Sequence, residues 1–138
     1  MTARGVPRGW QVAIVVIVVG AIAALVLVLW PAAGEVVLTA DDNGRAVELR
    51  QGQRLVVRLA SNPTTGYSWA PVDLDASLLE AEEPLFQADS ELLGAGGTES
   101  LGFRALVQGQ TTLTLAYRRP WEEGVAPLET VTFAVTVR

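Results

Sequence analysis

The chain has 138 residues, 50% hydrophobic and 18% charged, with neither cysteine nor histidine. That composition excludes disulfides, histidine-paired serine or cysteine nucleophiles, haem ligation and most transition-metal sites, and few enzyme mechanisms remain. Charge is split along the chain: Arg4 and Arg8 stand near the start, while everything from Gly34 onward holds eight arginines against fifteen acids, a formal −7 that disfavours nucleic-acid partners.

In chain order, residues 1–9 read as a short cytoplasmic N-terminus and residues 10–30 as one N-terminal transmembrane helix. Gln11 is the only polar side chain in that apolar block, and 21 residues at ~1.5 Å each cover roughly 30 Å of hydrocarbon. Trp10 and Trp30 suit the two interfaces, Pro31 stops the helix, and the uncompensated Arg4 and Arg8 place the N-terminus inside. Cleavage after Ala32-Ala33 would make the segment a signal peptide, but its apolar stretch exceeds the usual ~7–15 residues, which favours an uncleaved anchor. Gly20 and Ala24 have small-xxx-small spacing, a weak sign of helix pairing that leaves the oligomeric state open.

Residues 31–34 form a short linker, and residues 35–138 an extracytoplasmic domain long enough to bury one core. Its apolar pattern has period two. Leu55, Val57 and Leu59 share a face, as do Leu101, Phe103, Ala105 and Val107, then Leu113, Leu115 and Tyr117, then Val131, Phe133, Val135 and Val137. Shorter candidate strands cover 35–39, 45–49, 67–71 and 79–87, and Asn43-Gly44 suits a tight hairpin. The expected fold is all-β: an immunoglobulin-like β-sandwich of seven to eight antiparallel strands, without the Cys and Trp framework of antibody domains.

Three loops carry unusual chemistry. Asn62-Pro63-Thr64-Thr65-Gly66-Tyr67 combines a fixed φ at Pro63 with the freedom of Gly66, so it should project stiffly, although the same residues build ordinary turns. Gly94-Ala95-Gly96-Gly97 allows close backbone approach, or simply flexibility, and lacks the Gly-Lys-Ser/Thr of a phosphate loop. Arg119-Pro120-Trp121 pairs two hot-spot residue types around a proline; the bland alternative folds Trp121 onto the sandwich edge and pairs Arg119 with Glu122 or Glu123. If these connections follow the second, fourth and sixth strands of the sandwich, they gather at one end.

In this order the three motifs closely resemble those of the chagasin-type inhibitors of papain-like cysteine peptidases, and the resemblance spans about residues 35–138. It implies a reversible inhibitor whose loops wedge into a peptidase cleft. Thr64 and Thr65 would approach the catalytic cysteine, Gly94 to Gly97 would line one side of the cleft, and Arg119 and Trp121 would pack against the other. Such an inhibitor needs no cofactor, metal or reactive group. The apolar segment departs from a secreted inhibitor and makes membrane anchorage an expectation. Two other classes compete: a surface adhesion or assembly module binding an envelope protein or glycan through the same loops, and a glycosidase using acids such as Asp73 and Asp75 or Glu122 and Glu123. Neighbouring loop acids are usually solvated surface, so the enzyme reading is weak, and no Asp-x-Asp-x-Asp-Gly calcium loop is present.

Overall fold

The structure, a computed structural model, describes residues 34–138, which form nine strands: β1 (Val36–Thr39), β2 (Ala46–Leu49), β3 (Arg54–Ser61), β4 (Ser68–Val72), β5 (Leu79–Ala81), β6 (Leu85–Ala88), β7 (Gly97–Ala105), β8 (Gly109–Arg118) and β9 (Glu129–Val137). The expected helix over 10–30 lies outside the described residues; among them, no helix is long and apolar enough to cross a membrane.

Period-two alternation drives the architecture. Leu55, Val57 and Leu59 of β3, Leu101 and Phe103 of β7, Leu113 and Leu115 of β8, and Val131, Phe133 and Val135 of β9 point inward and are at most 5% exposed. They fill the space between two sheets. One has the order β1-β3-β7-β5 with β6 also on β7, and the other has the order β2-β9-β8-β4. Among the described residues the core runs from Leu38 to Val137, so residues 34–138 carry a hydrophobic interior of their own, of the size that supports one independently folding domain.

Five expectations need correction. The strands number nine rather than seven to eight, and they are not all antiparallel: β1 runs parallel to β3, and β2 parallel to β9. Alternation marks which face is buried and is blind to the direction of the neighbouring strand. Asn43-Gly44 closes no hairpin, because β1 and β2 belong to different sheets. It pins the crossover to β9 instead, with Asn43 Oδ1 accepting from the Thr132 N–H at 2.8 Å and the Gly44 N–H donating to the Thr132 carbonyl at 2.7 Å. The run 79–87 splits into β5 and β6 around Glu82-Glu83-Pro84, where proline has no N–H for a ladder. Val107 does not share the inward face of β7, which ends at Ala105; it is 46% exposed.

Register explains why one pole gathers the loops. Ser61 at the end of β3 faces Gly97 at the start of β7, and Arg118 at the end of β8 faces Ser68 at the start of β4. Tyr117 likewise faces Glu129 at the start of β9. The connections β3–β4, β6–β7 and β8–β9 therefore leave from the same end, following the third, sixth and eighth strands rather than the second, fourth and sixth. At the opposite pole Gln53 donates to the Gly34 carbonyl and Gln51 to the Arg138 carbonyl, so both ends of the described chain lie away from these loops. Arg54, beside Gln53, binds Glu82 and Glu35, and these two carboxylates raise its pKa.

Candidate functional site: three loops at one pole

The first loop, Asn62 to Tyr67, is a single 3-10 turn, Pro63–Thr65. Pro63 occupies the first turn, where a missing N–H costs nothing, and Asn62 caps it: Asn62 Oδ1 accepts from the Thr64 N–H at 3.2 Å and from the Thr64 hydroxyl at 2.6 Å. The Thr65 hydroxyl donates to the Asn62 carbonyl at 2.6 Å. Gly66 ends the turn at φ +83°, a left-handed position where a side chain is strained. Pro63, Thr64 and Thr65 are exposed at the tip.

The third loop braces the first. Arg119 Nε donates to the Thr65 carbonyl at 3.0 Å, Nη1 binds Glu122 at 3.1 Å, and the guanidinium lies 4.6 Å from the centroid of the Tyr67 ring. Arg119 thus pairs with Glu122 and grips the neighbouring loop at the same time. Pro120 carries the chain outward to Trp121, which is 67% exposed and turns the edge of its indole over Gly66, where even a methyl group would collide with Cη2. Gly66 therefore serves twice, for its φ and for the seat it leaves Trp121.

The second loop is held more lightly. Asn62 Nδ2 donates to the Gly94 carbonyl at 3.1 Å, and the Ala95 N–H to the Leu92 carbonyl at 3.1 Å. Gly94 has φ +80°, and Gly96 passes close to the Ser61 carbonyl. Gly97 is buried within β7, and a side chain there would strike the backbone of Gln87 in β6. Its lack of a side chain serves the protein's own sheet rather than an outside surface.

All thirteen residues singled out from sequence therefore sit at one pole, with Asn62 touching the second loop and Arg119 and Trp121 touching the first. Two groups were missed. Leu92 and Leu93, immediately before Gly94, are 78% and 104% exposed, and the signal was available as two adjacent leucines outside any alternating run. Tyr117, read only as a member of an inward-facing run, and Trp69, within the short candidate strand 67–71, stack beneath the first loop with ring centroids 5.1 Å apart.

The three loops thus converge at one pole of a β-sandwich, the second and third each bonded to the first. The sequence model described as "Chagasin family peptidase inhibitor I42" matches residues 48–137, and the chain belongs to that family, whose members are inhibitors and not enzymes. It is 35% identical over 89 residues to chagasin of Trypanosoma cruzi, covering 61% of this chain and 81% of that protein. With amoebiasin-2 of Entamoeba histolytica it shares 27% over 105 residues, 74% of this chain and 85% of the relative. Among solved structures, a cysteine protease inhibitor from Entamoeba histolytica superposes with TM-score 0.68 at 26% identity, covering 75% of this chain and 96% of that one. The Leishmania mexicana protein ICP gives TM-score 0.52 at 26% identity, covering 78% of this chain and 95% of that one.

Proposed function

We propose that the protein inhibits papain-like cysteine peptidases by filling the active-site cleft with the three loops, Thr64 and Thr65 lying nearest the catalytic thiolate. The observation that carries this reading is the bracing of the loops by one another, through Asn62 to Gly94 and Arg119 to Thr65. A surface ordered before binding loses little conformational entropy on docking.

The hydrogen bonding also accounts for an inhibitor that is not a substrate. The carbonyls of Asn62, Pro63 and Thr65 already accept bonds from Thr65, Gly66 and Arg119 of the same chain. A peptidase cleaves a carbonyl aligned to its nucleophile and oxyanion donors, and carbonyls committed to an internal turn are poorly aligned for that. Exposed Trp121 on one side, and Leu92 and Leu93 on the other, supply apolar contact area at the flanks. The apolar segment 10–30 is proposed to anchor this domain outside the cell membrane, a reading supported by its length and by Arg4 and Arg8.

The test is a titration of residues 34–138 against active-site-titrated papain. Stoichiometric inhibition with the chain recovered uncut is expected; no inhibition at micromolar concentration would remove the proposal. Anchorage is checked by alkaline extraction of membranes: the full chain should stay with the lipid fraction, and release into the wash counts against it.

A further inference from the structure

Where the first loop leaves β3, the backbone loses a neighbour. Pairing of β1 with β3 stops at Thr39 and Arg58, so residues 59–62 have no strand on that side. Backbone groups left that way need partners. The opposite sheet supplies them: Trp69 Nε1 donates to the Ala60 carbonyl at 2.9 Å, and Tyr117 Oη accepts from the Asn62 N–H at 2.9 Å. Trp69 and Tyr117 are directly paired across β4 and β8 and stacked at 25°. Between the two gripped peptide groups lies buried Ser61. Tyr67, at the far end of the loop, also packs on Tyr117, with centroids 5.4 Å apart, and carries Arg119 above its own ring.

We infer that Tyr117 is a positioning residue for inhibition: stacked on Trp69, its hydroxyl fixes the root of the first loop at Asn62 and so sets where Thr64 and Thr65 stand. The inference rests on the inhibitor reading and adds to it a residue that lies outside the three motifs. Tyr117 touches no peptidase in this scheme. Its effect passes through Asn62, whose side chain caps the turn and holds the Gly94 carbonyl, so one phenol orients two loops.

Tyr117→Phe keeps the ring and removes only the hydroxyl, whose oxygen accepts from the Asn62 N–H. In residues 34–138, the Asn62 amide should exchange with solvent at least tenfold faster, while amides of Leu113 and Leu115 in the core keep their protection. The inhibition constant for papain should rise roughly tenfold, mostly through slower association, as expected when fewer molecules hold the competent loop. Trp121→Ala, a contact change, should weaken inhibition without altering Asn62 exchange. An unchanged inhibition constant in Tyr117→Phe, an unchanged Asn62 amide, or a rise in core exchange to match the loss would each overturn the inference. If the unsubstituted domain itself fails to inhibit, the inhibitor reading falls, and Asn62 exchange still decides whether Tyr117 holds the loop.

Discussion

The first and second loops reach order by opposite means. In the first, nearly every polar group has a partner within the protein: Asn62 caps Thr64, Thr65 returns to Asn62, and Arg119 and Tyr117 reach in from β8 and its exit. In the second, a single side-chain bond from Asn62 and two backbone bonds, Ala95 to the Leu92 carbonyl and Asp89 to the Gly96 carbonyl, suffice where glycines let the backbone lie close to β3 and β6, while Leu92 and Leu93 are exposed to solvent. The contrast separates two sources of rigidity. Saturated hydrogen bonding makes a shape that resists deformation, whereas missing side chains permit close backbone approach and leave the apolar contact to the exposed leucines at the flank.

Substitutions can break this comparison at chosen points. The largest effect is expected from Gly66→Ala, which places a side chain at φ +83° and evicts the indole of Trp121; inhibition should fall more than hundredfold while the core melts within a few degrees of the parent. Trp121→Ala should weaken the papain complex by about 2–4 kcal/mol with stability unchanged, and a collapse of the fold would instead make Trp121 a core residue. Gly97→Ala tests the second loop at its root: displacing β6 should cost about 1–3 kcal/mol of stability in denaturant titration, and a neutral result would show that β6 yields freely.

Asn62→Asp is subtler. It retains the acceptor that caps Thr64 and loses the donor to Gly94, uncoupling the second loop from the first at a cost of about 1 kcal/mol in binding. Equal affinity in the two proteins would show that the bond between the loops contributes nothing. The smallest effect belongs to Asp42, in the β1–β2 connection. Its pKa is lowered, first by the Thr39 N–H and then by Arg45. A depressed carboxylate stabilises the fold above its unfolded pKa near 3.8, and that contribution fades as pH falls through the folded value. Asp42→Asn should therefore melt slightly lower at pH 7 and match the parent in strong acid, with papain inhibition at neutral pH unaffected.

Much of the fold was legible in advance because the large inward residues of β3, β7, β8 and β9 recur with period two, Val107 beyond the end of β7 excepted. Most of the failures share a cause. The parallel pairing of β1 with β3 and of β2 with β9 and the crossover at Asn43-Gly44 depend on which distant strand lies alongside, and local alternation carries no record of that; the break at Pro84 was a local signal, a residue with no N–H for the ladder. In the candidate site, the motif residues could be named from sequence, but Gly97 was assigned to an outward surface when the backbone that needs its empty side belongs to β6.

Local chemistry by itself determined the all-β character, the stiffness of the Asn-Pro-Thr-Thr-Gly turn and the family resemblance, because alternation, fixed φ angles and turn capping act over a few residues. Only the tertiary structure decided that Arg119 reaches Thr65, that Trp121 rests on Gly66 and that Tyr117 holds the amide of Asn62. These contacts join positions about fifty residues apart, and it is the register between β3, β4, β7 and β8, set by the packing of their inward side chains, that brings them within hydrogen-bonding range.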